Sequence, residues 1–211
     1  METKIERFFW NMHSICMKTI HWRRLPHFHA IGQPIFLTWR LHGSLPVNRS
    51  FPPQTTSGEA FLAVDRLLDN ACTGPLFLKM PEIANVVMEA IEYRDARCFQ
   101  LHAFVVMPNH VHLLMTPLVD VSGTMQSLKR FTARECNRVL GLTGHTFWQS
   151  ESYDRLVRDG TEFQRIVRYI ETNPVKAGLV ATPEEFSWSS ARPIANRPQV
   201  SNLPHKRTEF F

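Results

Sequence analysis

An α+β fold is what this chain of 211 residues predicts: a ferredoxin-like antiparallel sheet in βαββαβ order, with helices packed on one face and a helix appended at the C-terminal end. Three observations carry that expectation. Apolar runs of strand length alternate with longer stretches whose apolar residues recur at helical spacing. Two runs, at 100–107 and 110–116, are separated only by Pro108 and Asn109, as in a tight hairpin. Apolar residues make up 44% of the chain, enough at this length to bury a core.

The elements follow in order. Residues 1–30 carry Arg7, Lys18, His21, Arg23, Arg24, His27 and His29 without sustained periodicity, and read as a basic N-terminal arm. IFLTWRL (35–41) alternates as a strand does and is broken by Gly43 to Pro46; a Pro/Ser/Thr/Gly loop occupies 45–58. In EAFLAVDRLLDN, Phe61, Val64, Leu67 and Leu68 recur as on a helix, and a second helical piece spans 81–93. After the hairpin, 124–140 sets Met125, Leu128, Phe131 and Val139 on one side and stops at Gly141 and Gly144. YDRLVRD reads as the last strand. A final helix begins near Thr161, buries Phe163, Ile166, Val167 and Ile170, and is interrupted at Asn173-Pro174, with Gly178 closing a last turn. One domain over 31–192 and a polar tail over 193–211 complete the division.

Composition narrows the function classes. With 9 Gly and 14 Pro among 211 residues, collagen-like, mucin-like and wholly disordered chains are excluded. Cys16, Cys72, Cys98 and Cys136 form no C-x-x-C pair, which fits a reducing compartment. No apolar run is long enough for a secretion signal or a membrane span, so a cytoplasmic protein off the membrane is expected. The 24 Lys+Arg against 19 Asp+Glu give a formal charge of +5, compatible with a polyanionic partner without demanding one.

VVMPNHVHLLM is the sharpest local feature. Alternate strand residues share a face, so His110 and His112 point the same way, with Cα atoms about 6.6 Å apart. Two imidazoles so placed can converge on one metal ion. His27-Phe28-His29 has the same spacing but lacks strand patterning, whereas Leu113, Leu114 and Met115 continue the strand beyond His112. A phosphate-cleaving metal site also needs a nucleophile, and the chain offers Tyr93, Tyr153 and Tyr169. Asn173 lies four residues after Tyr169, so both project from one helix face, where an amide oxygen could complete a metal shell. The alternatives are a packed tyrosine ring and an asparagine that caps the turn opened by Pro174.

MPNHVHLLM, SLKRFTARECNRVLG, TFWQSESYDRLVRD, RIVRYIETNPVKAGLV and FSWSSA, with the opening GQPIFLTWRLHGSLP, resemble the REP-associated tyrosine transposases of the HUH endonuclease superfamily. The resemblance spans about residues 32–191. It implies a ferredoxin-like nuclease domain in which His110 and His112 bind a divalent metal, Mg²⁺ or Mn²⁺, with Asn173 as third ligand and Tyr169 as nucleophile. It further implies hairpin-forming or palindromic DNA, presented single-stranded around the cleavage point. In that chemistry the phenol displaces a 3′-oxygen, leaving a 5′-phosphotyrosine and a free 3′-OH for transfer or rejoining.

Arg130, Arg134 and Arg138 recur every four residues and form a basic stripe with Lys129 beside it; Arg23 and Arg24 of the arm, next to Trp22, add charge and stacking. These are the candidate DNA-binding residues, and an ordinary solvated helix face is the alternative. No small-molecule substrate is expected, and both monomer and homodimer are open. A non-catalytic nucleic-acid-binding module is the competing function. An oxygenase-type metal centre is disfavoured because no Glu closely follows His112.

Overall fold

The computed structural model describes residues 18–22, 26–45, 57–70 and 74–193. Arg23, Arg24, Cys16, Cys72 and the tail from 194 onward lie outside the described residues. β1 (Lys18–Trp22) and β2 (Pro26–Ala30) pair as an antiparallel hairpin separate from the main sheet. The basic arm thus contains strands, and His27 and His29 lie on one of them despite the absence of a visible strand pattern. Five residues per strand are too few to establish a period.

The main sheet comprises β3 (Ile35–Arg40), β4 (Phe99–Val106), β5 (His110–Pro117) and β6 (Tyr153–Leu156), in the order β4-β5-β3-β6 and antiparallel throughout. Among the described residues the helices are α1 (Ser57–Asp69), α2 (Pro81–Glu92), α3 (Val121–Leu140) and α4 (Gly160–Lys176). No described helix is long and apolar enough to cross a membrane. The expected α+β antiparallel architecture and its βαββαβ order are borne out.

The distribution of helices differs from the expected single layer. Ile35, Leu37 and Trp39 of β3 and Val111, Leu113 and Met115 of β5 meet α2 and α3. On the opposite face, Phe36 of β3 and Leu114 of β5 meet Ile170 of α4, with Phe61 of α1 and Phe163 of α4 packed alongside. α2 and α3 therefore cover one face, while α1 and the appended α4 cover the other. With both faces covered, residues 35–39 are all buried and the polar–apolar alternation of β3 loses its usual meaning.

Local chemistry fixes the ends of the helices that matter most. Asp120 accepts from Gly123 N at the start of α3, and Gly141 closes it with φ of 69°, a left-handed conformation that glycine adopts without a Cβ penalty. Asp159 accepts from Glu162 N at the start of α4. The predicted break at Asn173-Pro174 does not occur: α4 runs through Pro174 to Lys176. Proline forfeits one backbone donor there, but Asn173 and Pro174 are both buried, and packing in the final turn offsets that loss. The FSWSS segment lies along the outer edge of β4, where Val106 N donates to Trp188 O and Ser190 N to Phe104 O. It shields an edge that would otherwise present free backbone groups.

Candidate active site

His110 and His112 stand on the α1/α4 face of β5, both fully buried, with their Nε2 atoms 3.1 Å apart. Their Nδ1 atoms are held from behind. Thr38 sits directly opposite His112 in the β3–β5 register, and its Oγ1 lies 2.7 Å from His112 Nδ1. Asn109 Nδ2 donates to Leu68 O of α1, which turns its Oδ1 toward His110 Nδ1 at 2.7 Å. An oxygen acceptor there places the His110 proton on Nδ1 and leaves an Nε2 lone pair facing the site. Burial, followed by the neighbouring His112, pushes the His110 pKa down to about 3, so this imidazole is neutral and competent as a ligand.

α1 brings a group that the sequence reading missed. Asp65, 3% exposed, places Oδ1 3.2 Å from His112 Nε2 and 3.7 Å from His110 Nε2, and these three residues form a group able to hold a metal ion. One turn further along α1, Asp69 Oδ1 lies 3.8 Å from His110 Nε2. On the other side α4 presents Asn173, with Nδ2 3.3 Å from His112 Nε2. The Oδ1 atoms of Asp65, Asp69 and Asn173 are buried without a hydrogen-bond partner. Unpartnered buried oxygens are costly in a folded protein. Clustered around two inward-facing imidazole nitrogens, they fit a divalent cation. A half-turn of the Asn173 amide exchanges its nitrogen and oxygen with no change of shape.

Tyr169 donates its hydroxyl to Asp65 Oδ2, and its ring meets His112 edge-on at 5.5 Å between centroids. Burial, then the Asp65 charge and hydrogen bond, hold the phenol far above its ordinary pKa. Burial pushes Asp65 upward, but its interactions with His112, His110 and the Tyr169 hydroxyl outweigh it, leaving this carboxyl well below the usual range. Asp69, raised by burial and by the Asp65 charge, sits at about 7. The other tyrosines are elsewhere. Tyr153 stacks on Phe61 at 4.4 Å, and Tyr93 ends α2 under the Arg97 guanidinium. His102 bonds Thr116 and does not join the pair.

The basic stripe is not brought to this site. Arg130, Arg134 and Arg138 are exposed on α3, which packs on the opposite face of the sheet. Arg134 and Arg138 flank Glu135 at 2.9 and 3.2 Å. Lys129 donates to the carbonyls of Gln149 and Ser150 and so ties that loop to α3. A cleft of about 390 Å³ between α3 and the loop is lined by Met125, Lys129, Arg130, His145, Trp148 and Asp154, among others.

The family model described as "Transposase IS200 like" matches residues 81–173, a span that includes both histidines, Tyr169 and Asn173 but not Asp65. A REP-associated tyrosine transposase of Escherichia coli (strain K12) is 28% identical over 100 residues, covering 47% of this chain and 59% of that protein. A candidate REP-associated tyrosine transposase of Haemophilus influenzae (strain ATCC 51907 / DSM 11121 / KW20 / Rd) is 25% identical over 103 residues, covering 44% and 58%. The chain thus spans somewhat over half the length of these two curated relatives. Among solved structures, a REP-associated tyrosine transposase bound to a REP hairpin superposes with a TM-score of 0.52 at 19% identity, covering 90% of this chain and 99% of that one; it shares the fold. The family model and the curated relatives thus liken this chain to the IS200-like and REP-associated tyrosine transposases, and the solved structure shares its fold.

Proposed function

We propose that the chain is a metal-dependent single-strand DNA endonuclease of transposase type, which cuts hairpin or palindromic DNA through a 5′-phosphotyrosine and can transfer or rejoin the strand. One observation carries this reading: within a single chain the Tyr169 hydroxyl, the His110 and His112 imidazoles, Asp65 and Asn173 meet in one buried cluster. His110, His112 and Asp65, with Asn173 beside them, would hold Mg²⁺ or Mn²⁺. Such an ion supplies Lewis acidity toward a phosphate oxygen when bound.

The residues divide the remaining work. Asp65 Oδ2 already accepts the phenolic hydrogen bond, so it orients Tyr169 and is the group placed to take its proton. The phenolic oxygen then bonds to phosphorus as the P–O3′ bond breaks, and the departing 3′-oxygen takes a proton from water. The phosphodiester is conserved in the tyrosyl link, so the free 3′-OH or another strand can attack it without ATP. Hairpin DNA as the substrate is supported by the REP hairpin held by the structural neighbour. The α3 arginines, Arg130, Arg134 and Arg138, are proposed contacts for DNA backbone away from the cut.

The test is incubation with labelled single-stranded hairpin DNA and Mn²⁺, followed by a denaturing gel and mapping of the linked peptide. The expected result is a covalent adduct on Tyr169 that is absent in Tyr169→Phe, which still binds the DNA. DNA binding with neither nick nor adduct in the unaltered protein would make the chain a non-catalytic nucleic-acid-binding module.

A further inference from the structure

α4 carries one more group toward the phenol. Tyr169, Asn173 and Lys176 stand at i, i+4 and i+7, so they share one helix face. Lys176 Nζ lies 4.9 Å from the centroid of the Tyr169 ring, and its positive charge is felt by Asp69. The residue is exposed, and among the described residues its ammonium makes no salt bridge. An exposed cation therefore sits beside the ring of the proposed nucleophile.

The charge balance gives that placement a consequence. Asp65 and Asp69 both border the phenol or the histidines, and a phosphodiester approaching Tyr169 brings a further negative charge into the same field. In the pentacovalent transition state the charge on the phosphoryl oxygens increases. A metal held by His110, His112 and Asp65 would supply part of the compensating positive charge. Lys176, with its ammonium 4.9 Å from the centre of the phenol ring, can supply more of it beside the nucleophile, as fixed cations do at phosphoryl-transfer centres. A role confined to the helix dipole would satisfy the end of α4, but would not account for an ammonium held over the ring of the attacking residue.

We propose that Lys176 is the phosphate-receiving cation of this site: its ammonium binds a non-bridging oxygen of the scissile phosphate beside Tyr169 and retains it as the tyrosyl link forms. The inference rests on the nuclease reading above. The bonds that form and break are those given there, and Lys176 neither forms nor breaks one.

The experiment measures single-turnover adduct formation on hairpin-bearing single-stranded DNA at saturating Mn²⁺ and DNA, for the unaltered protein, Tyr169→Phe, Lys176→Met and Lys176→Arg. Thermal unfolding and Mn²⁺ titration are run in parallel. An adduct in the unaltered protein that is missing in Tyr169→Phe establishes the nuclease reading independently of Lys176; its absence there overturns that reading and this inference with it. The expected result for Lys176→Met is a rate lowered about 30-fold or more, with unfolding midpoint and Mn²⁺ affinity unchanged, while Lys176→Arg recovers to within about fivefold. Lys176→Met within threefold of the unaltered rate, a Lys176→Arg as slow as Lys176→Met, or a loss accompanied by unfolding or weakened Mn²⁺ binding would overturn the assignment.

Discussion

Asn109 looks like a turn residue and acts as a clamp. It is buried, donates from Nδ2 to Leu68 O at 2.9 Å and receives His110 Nδ1 at Oδ1, so one side chain joins α1 to the site-facing imidazole. Removing it frees the His110 ring to rotate and to exchange tautomers. Groups that orient metal-ligating histidines are typically worth 10–100-fold in metal affinity. Asn109→Ala is therefore expected to weaken Mn²⁺ binding by roughly that factor in calorimetric titration. Thr38→Val should act in the same direction at His112, because it deletes the Oγ1 partner while keeping the side-chain shape. Unchanged binding in both variants would show that these contacts do not orient the imidazoles.

The helix of the proposed nucleophile is secured at its start by charge. Glu162, buried on the first turn of α4, meets Arg155 at 2.6 Å and Arg158 at 3.1 Å, and also accepts from Arg158 N at 2.9 Å. Burial raises its pKa, but the Arg158 hydrogen bonds and the two guanidinium charges outweigh burial and hold the carboxyl below its ordinary value. A carboxyl depressed in the folded state contributes stability that is present above its unfolded pKa and is lost as pH falls through the folded value. Thermal unfolding followed downward from pH 5 should show that loss, and Glu162→Gln should flatten this part of the acid limb while lowering stability at pH 7 by about 1–3 kcal/mol. At the same helix start, Asp159→Ala removes the acceptor for Glu162 N and should cost about 1 kcal/mol in denaturant unfolding.

Across the whole molecule the sheet separates two groups of residues with different proposed roles. The cluster of His110, His112, Asp65 and Tyr169 lies on the α1/α4 face, and the arginine stripe is carried by α3 on the other. Replacing Arg130, Arg134 and Arg138 together by Ala should weaken DNA binding and reduce the salt dependence of log K by about 2 to 3. An unaltered salt slope would make the stripe an ordinary solvated face. The tyrosine also reaches the histidines of its own chain. Mixing Tyr169→Phe with a His110→Ala, His112→Ala variant should therefore restore no cleavage; recovered activity would require a tyrosine supplied by a second copy.

The sequence by itself determined what depends on neighbouring residues. Strand alternation put His110 and His112 on one face, the four-residue spacing put Tyr169 and Asn173 on one side of α4, and Pro108-Asn109 marked the hairpin, because each is a matter of local backbone geometry. It also carried the order of the sheet elements. Tertiary structure decided which tyrosine of three meets the histidines, and it supplied Asp65 and Asp69 from a helix more than 40 residues upstream of His110. Nothing local in EAFLAVDRLLDN says which face of the sheet α1 will cover, since both faces are apolar. Asp65 therefore read as one more polar residue of an amphipathic helix until packing set it against two imidazoles. The same physics explains the unbroken α4: the residues around Pro174 are buried, and burial, not backbone preference, governs its last turn.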